Sequence, residues 1–217
     1  MSFNHRVPRE LQEEDRWFKV FTPKQHLETW GQEFPAICCC GPWNKFFKAN
    51  IIKENGLRFD LSLNCGEDTY FNLHVLEKIE KIYFSKEIFY HYRRESVNSL
   101  WSRFHGDIYE VNYKVSGKQR ELMDLFGCSL SSKNTFENNY FSLQISGLHE
   151  YYRNYNKTTN TEKFELIDKI LTDEYICRYR IRDIDGIKNK IFLGLLKMRL
   201  KKIIDFMFKK RYGKERQ

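Results

Sequence analysis

Residues 66–73, with the sequence Gly-Glu-Asp-Thr-Tyr-Phe-Asn-Leu, place a glycine and two carboxylates directly before an apolar-periodic segment. Phe71, Val75 and Ile79 recur at steps of four, which predicts a half-buried helix beginning close to residue 68. Glu67 and Asp68 would then lie at the helix N-terminus, where free backbone N–H groups favour negative charge. A carboxylate fixed there can accept a proton from a substrate hydroxyl, or it can serve as an ordinary N-cap.

Four further segments surround this stretch in a defined order. They are residues 40–48 (Cys-Gly-Pro-Trp-Asn-Lys-Phe-Phe-Lys), 51–60 (Ile-Ile-Lys-Glu-Asn-Gly-Leu-Arg-Phe-Asp), 81–84 (Lys-Ile-Tyr-Phe) and 88–100 (Ile-Phe-Tyr-His-Tyr-Arg-Arg-Glu-Ser-Val-Asn-Ser-Leu). In this order and spacing, residues 15–103 resemble the second half of the family-two glycosyltransferases of bacterial surface-polysaccharide pathways. Those proteins carry Asn-Lys, Asn-Gly-Leu-Arg-Phe, Gly-Glu-Asp and Tyr-x-Tyr-Arg segments one after another.

The resemblance implies a GT-A fold, an α/β architecture in which a mixed sheet is flanked by helices. Residues 1–103 would form the acceptor-side half of the catalytic domain, and residues 104–217 a mainly helical region. The first half of these enzymes binds the sugar nucleotide, and no strand–loop–helix pattern of that kind precedes Trp43. We therefore expect the donor-binding half to be absent, as in a truncated gene, a split gene or a natural half-protein that pairs with a donor-binding chain. Without that half, we expect little or no transferase activity from this chain alone.

The resemblance also implies roles for individual residues of the acceptor side. Asp68 matches the base that deprotonates the acceptor hydroxyl, and Glu67 would orient the acceptor or support that base. Trp43, Asn44 and Lys45 match the segment that lines the acceptor side of the cleft. The reaction implied is transfer of a sugar from a nucleotide sugar to a glycan or lipid-linked acceptor, with inversion at the anomeric carbon.

This sequence matches fewer of the residues with which the family contacts the diphosphate and its metal. Arg93 matches the Tyr-x-Tyr-Arg arginine and would neutralise the diphosphate, because a guanidinium pairs bidentately with phosphate oxygens. His91 lies where related enzymes sometimes carry a metal or phosphate contact and more often a structural aromatic. The intact enzymes hold a divalent metal, Mg or Mn, with an Asp-x-Asp motif. Here Asp183-Ile184-Asp185 follows Asp68 by more than a hundred residues and predicts a polar turn, so we assign no metal ligand.

The net charge of +8 is concentrated at the end of the sequence. Residues 188–217 hold eleven Lys and Arg against two acidic residues, whereas the remaining chain holds 26 against 27. One apolar stripe runs through this segment at helical spacing: Phe192, Leu196, Leu200, Ile203 and Met207. The pattern predicts a basic amphipathic helix at residues 188–211 that binds an anionic membrane surface, or else packs on the protein body. The near-neutral remainder argues against nucleic-acid binding.

The sequence predicts a cytoplasmic protein. Any attachment of this protein to the cell membrane would be peripheral and on the inner face. Residues 1–14 are polar, which predicts no signal peptide, and three consecutive cysteines, Cys38 to Cys40, do not match a usual disulfide framework. A non-catalytic peripheral membrane or partner-binding protein that keeps the fold is the competing hypothesis. Predicted strands are 37–41, 81–84 and 88–93, and predicted helices are 23–30, 44–55, 68–80, 104–126, 134–154, 161–175 and 187–211.

Overall fold

The computed structural model describes residues 18–29, 41–85, 104–154 and 156–212. The described residues divide into two units. The first unit contains residues 18–29, 41–85 and 113–136, and the second contains residues 104–112, 137–154 and 156–212. Two long helices, α4 (Ile108–Leu125) and α5 (Leu130–Arg153), each contribute residues to both units.

The sheet of the described chain consists of two antiparallel strands in the first unit. Strand β1 (Phe18–Phe21) pairs with β2 (Ile82–Ser85), with Phe21 opposite Ile82. The rings of Phe21 and Phe84 meet edge to face, their centroids 5.2 Å apart. Strand β2 confirms the strand predicted near residues 81–84. Strand β1 was not predicted, and within the described residues the mixed sheet of a GT-A fold is not present.

Three helices complete the early part of the first unit. Helix α1 is Pro23–Thr29, α2 is Ala49–Glu54 and α3 is Glu67–Glu77, with a 3-10 turn at Pro42–Asn44. The predicted helix at 44–55 is thus shorter and begins later. The predicted strands at 37–41 and 88–93 fall on residues 30–40 and 86–103, which lie outside the described residues, apart from Gly41, which is not in a strand.

The apolar core of the first unit joins residues that are distant in sequence. Leu27 of α1 and Leu73 of α3 pack in one cluster with Leu122 of α4 and Phe136 of α5. Each leucine in this set is almost completely buried. The residues after 103 therefore supply part of the core that fixes α3 in place.

The second unit is built from helices throughout its described part. Besides the ends of α4 and α5, it contains α6 (Asn160–Thr172), α7 (Glu174–Arg178), a 3-10 turn (Ile181–Asp183), α8 (Ile187–Lys197) and α9 (Lys201–Tyr212). This confirms the prediction of a mainly helical C-terminal region. No helix in the described parts of the chain has both the length and the apolar composition needed to cross a bilayer.

Two buried carboxylates organise the helices of the second unit. Asp173 caps α7 by accepting from the backbone N–H of Tyr175 and Ile176, and its other oxygen accepts from the Tyr140 hydroxyl. Asp205 of α9 accepts from the Tyr152 hydroxyl at 2.7 Å. Burial and the neighbouring carboxylate raise the pKa of both Tyr140 and Tyr152, so both tyrosines remain neutral hydrogen-bond donors.

The single helix predicted at 187–211 is two helices, because a helix stop at Arg199 ends the first of them. The N–H of Leu200 bonds to the carbonyl of Leu195, and the N–H of Arg199 bonds to that of Leu196. These two bonds form a Schellman stop, which requires a left-handed residue. Arg199 occupies that place with φ 54°. Gly56 after α2 and Gly127 after α4 occupy the same place with φ 60°.

The left-handed conformation of Arg199 leads to a stability prediction. Substitution of Arg199→Gly should raise the free energy of unfolding by about 0.5–1 kcal/mol, because glycine adopts this conformation without the Cβ penalty. Urea titration of the two proteins measures the difference. Arg199→Ala is the matched control, since it removes the same charge but keeps the Cβ. Equal stabilities for the glycine and alanine variants would contradict the assignment of strain to Arg199.

A nearly buried lysine joins α3 to α4 within the first unit. Lys118, 9% exposed, donates to Glu77 at 2.6 Å and to Glu121 at 2.8 Å. Glu77 also accepts from Lys78 at 2.7 Å. The hydrogen bonds from Lys118 and Lys78 lower the pKa of Glu77 to about 2.

This depressed pKa predicts a specific pH dependence. Glu77→Gln should lower the free energy of unfolding by about 1–2 kcal/mol at pH 7. The native carboxylate binds protons less readily than the unfolded one, so its stabilisation is complete above about pH 4.5 and is lost as the pH falls towards 2. Urea titrations between pH 2 and 7 test this. Glu80→Gln, at an exposed position, should change little, and a constant deficit for Glu77→Gln across the range would refute the linkage.

Candidate functional site

The N-terminus of α3 carries the two carboxylates singled out by the sequence. Gly66 is the N-cap residue, with a left-handed backbone (φ 71°) and no side-chain capping bond. The helix begins at Glu67, so Asp68 is its second residue and neither Asp68 nor Thr69 is the N-cap. Asp68 Oδ1 accepts from the backbone N–H of Thr69 at 2.6 Å. Asp68 therefore satisfies one free N–H of the first turn from inside the helix.

The second oxygen of Asp68 binds a different part of the chain. Its Oδ2 accepts a hydrogen bond from the backbone N–H of Gly41 at 2.9 Å. Gly41 immediately precedes the 3-10 turn that holds Pro42, Trp43 and Asn44. The structure thus brings Asp68 to the start of the Trp-Asn-Lys segment, 27 residues earlier in the sequence.

Gly41 is suited to this position by its lack of a side chain. Its φ of 57° is disfavoured for residues with a Cβ. A Cβ built on Gly41 would lie 2.2 Å from Nε1 of Trp43 and 2.6 Å from its Cδ1. The indole edge therefore packs directly against the Gly41 backbone. Trp43 and Asp68 consequently contact the same residue.

Lys45 closes this arrangement from the other end of the turn. Its Nζ donates to the carbonyl of Gly41 and to Oδ1 of Asn44, each at 2.7 Å. Gly41 therefore donates its N–H to Asp68 and accepts at its carbonyl from Lys45. We call Gly41, Trp43, Asn44, Lys45 and Asp68 the Gly41 cluster.

A buried histidine, His26, lies close enough to the Gly41 cluster for the charge of Lys45 to affect its pKa. Burial of His26, which belongs to α1, and the positive charge of Lys45 lower the pKa of this histidine to about 4. The imidazole is consequently neutral at physiological pH. Its ring also lies against Phe84, with centroids 5.8 Å apart.

Apolar packing connects α3, which carries Asp68, to the chain segment that follows Lys45. Phe71 and Val75 of α3 form a buried cluster with Leu57, and Phe47 packs on it. The Phe59 ring stacks on Phe71 with centroids 4.4 Å apart. Leu57 is the residue after the Gly56 helix stop, which explains the Asn-Gly-Leu sequence: glycine ends α2 and leucine enters the core.

The remaining predicted site residues fall in different places. Glu67 is half-buried in the first turn of α3, and Asn44 is exposed. Arg93 and His91 lie outside the described residues. The sequence prediction missed Gly41 and His26. The Gly-Pro pair before Trp43 was a signal for a turn at Gly41, whereas nothing in the local pattern marks His26.

The Asp-x-Asp sequence lies in the second unit and does not offer a free pair of carboxylates. Oδ2 of Asp183 accepts from Nε of Arg180 at 2.9 Å, and this bond lowers the pKa of Asp183. Asp183 ends a one-turn 3-10 helix. The residues therefore form a turn that is stabilised by an arginine, which does not fit the donor set of a metal–diphosphate site.

The close approach of Gly41 and Trp43 gives a direct test of the cluster geometry. Gly41→Ala should lower the free energy of unfolding by at least about 2 kcal/mol, from the left-handed backbone and the overlap with the indole. Urea titration gives the value, and the Trp43 indole N–H signal in a ¹H–¹⁵N spectrum should shift. Gly117→Ala, inside α4 with no neighbour within 4 Å, is the control and should be neutral or stabilising. Equal effects of the two substitutions would contradict the geometry.

Comparisons with known proteins give no family for the chain. No protein-family model, no curated protein and no solved structure matches it.

Proposed function

We propose that the Gly41 cluster is the acceptor side of a glycosyltransferase-like site, with Asp68 as the general base. The observation that carries this proposal is the pair of hydrogen bonds on Asp68. One oxygen is fixed by Thr69 and the other by Gly41, so the carboxylate has a defined orientation beside Trp43 and Lys45. The sequence resemblance assigns the same residues to acceptor binding and catalysis, and these residues adjoin in space.

The proposed chemistry uses Asp68 as a proton acceptor. In the reaction, Asp68 takes the proton of a sugar hydroxyl, and the hydroxyl oxygen attacks the anomeric carbon of a nucleotide sugar. The bond to the nucleoside diphosphate breaks as the new glycosidic bond forms, and direct displacement inverts the anomeric configuration. The acceptor would be a glycan or a lipid-linked sugar.

The neighbouring residues have complementary roles in this proposal. The Trp43 ring offers an apolar surface to one face of the acceptor sugar, and Asn44 offers an exposed amide for its hydroxyls. Lys45 places a cation beside the Gly41 carbonyl and so steadies the turn. Arg93 is proposed to bind the departing diphosphate. A divalent metal, Mg or Mn, would accompany that diphosphate, and we assign no residue of this chain to hold it.

Substitution of Asp68→Asn separates the chemistry from the fold. The amide oxygen can still accept one hydrogen bond, so stability should fall by only about 1 kcal/mol. Transfer should fall by about a hundredfold or more, because the amide cannot accept the proton. The measurement is transfer of radiolabelled sugar from a panel of nucleotide sugars to saccharides and lipid extracts, with Mg and Mn present. The purified chain is assayed alone and with added cell lysate.

Acceptor binding is measured separately from transfer. Saccharide titration should move the Trp43 indole N–H signal, assigned with Trp43→Phe, and Asp68→Asn should weaken that response. Asp185→Asn, at an exposed carboxylate of the Asp-x-Asp sequence, is the control and should leave both readouts unchanged. Full transfer activity in Asp68→Asn would show that Asp68 is not the base. A Trp43 signal unmoved by every saccharide, together with no transfer, would favour the non-catalytic alternative.

A further inference from the structure

The outward side of α9 exposes apolar side chains that a water-facing helix does not normally present together. Ile203 is 45% exposed, Phe206 64% and Met207 42%. Their spacing of three and four residues puts them on one side of the helix. The opposite side is the buried one, and it carries Ile204 and Phe208. We call Ile203, Phe206 and Met207 the outer ridge of α9.

This orientation corrects part of the sequence prediction. The predicted stripe placed Ile203 and Met207 on the same helix face as Phe192 and Leu196. Phe192 and Leu196 are indeed buried in α8. The helix stop at Arg199 breaks the continuity, so the periodicity restarts in α9 and turns Ile203 and Met207 outward.

Basic residues flank the outer ridge on both sides. At 100° per residue, Lys202 lies along one edge of the ridge, Arg211 along the other and Lys210 between them. Two other lysines are engaged elsewhere: Lys201 pairs with Asp168, and Lys209 pairs with the buried Asp205. Within the described part of the chain, Lys202 and Lys210 have no carboxylate partner. Their charge is therefore available to an external anion.

Helix α8 repeats the arrangement. Ile187 and Ile191 are exposed on its outward side, one turn apart. Lys188 lies on one side of these residues and Lys190 on the other. From residue 187 to 212, nine Lys and Arg stand against the single acidic residue Asp205, which is buried and already paired. Two consecutive helices thus combine an exposed apolar ridge with basic edges.

The charge pattern discriminates between partners for this surface. A second copy of the chain would bring Lys202, Lys210 and Arg211 against the same cations, which is repulsive. A nucleic acid would pair with the cations but would gain little from Ile203 and Met207. A lipid surface with anionic headgroups satisfies both parts, because the ridge enters the acyl boundary and the long basic side chains reach the phosphates.

We propose that the outer ridge of α9, with its basic edges and the matching side of α8, docks on an anionic lipid surface. Both helices would lie parallel to the membrane plane. The inference rests on the exposure and charge of α8 and α9 and does not depend on the role of Asp68. Failure of either proposal therefore leaves the other standing.

The test is flotation of the full chain with lipid vesicles. Vesicles of phosphatidylcholine and phosphatidylglycerol (7:3) should carry the protein at 50 mM NaCl, and pure phosphatidylcholine vesicles should carry much less. Binding should weaken at 500 mM NaCl because the charges are screened. Lys202→Glu with Lys210→Glu, and separately Phe206→Ser with Met207→Ser, should each weaken binding by about tenfold or more.

Matched controls distinguish this surface from general stickiness. Leu125→Ser removes an equally exposed apolar side chain of α4, and Lys53→Glu reverses an exposed charge of α2. Both should bind anionic vesicles as the unchanged chain does, and circular dichroism checks that all variants fold. Absence of vesicle binding by the unchanged chain would overturn the proposal. Vesicle binding that the α9 variants do not weaken would also overturn it. So would a chain that binds no vesicles but self-associates in sedimentation velocity, if Phe206→Ser abolishes that self-association.

Discussion

The candidate site depends on the hydrogen bond from the Gly41 backbone N–H to the Asp68 carboxylate. It joins two residues that are 27 positions apart in the sequence, and it fixes the direction of a carboxylate at a helix N-terminus. The arrangement needs glycine at position 41 because Trp43 occupies the space of a Cβ. It also needs α3 held in position, and the apolar contacts of Phe71 and Leu73 with the rest of the first unit provide this.

The local sequence pattern was sufficient to predict those helices in which the apolar periodicity and the stop residue indicate the same end. Helix α3 and strand β2 lie within a few residues of their predicted positions. Gly56 and Gly127 each end a helix in the left-handed conformation that glycine adopts readily. The end of α8 was missed because an arginine fills the glycine position of the stop. Strand β1 was missed because its partner lies more than sixty residues away, and pairing over that distance leaves no local signal.

The candidate site was predictable in part. The sequence resemblance named Trp43, Asn44, Lys45 and Asp68, and the structure places them around Gly41. It could not name the backbone of Gly41 as their common partner, because that role comes from a tertiary hydrogen bond. The depressed pKa of His26 likewise reflects burial that only the folded unit creates. The GT-A sheet inferred from the resemblance is not present in the described residues.

The passage of α4 and α5 through both units constrains the order in which the chain can mature. Leu27 and Leu73 pack with Leu122 and Phe136, so the first unit lacks part of its core until residue 136 has been synthesised. A ribosome-bound chain ending at residue 103 would still expose that apolar surface. The helix pair that completes this core also begins the second unit. Synthesis of the second unit therefore begins before synthesis of the first unit is complete.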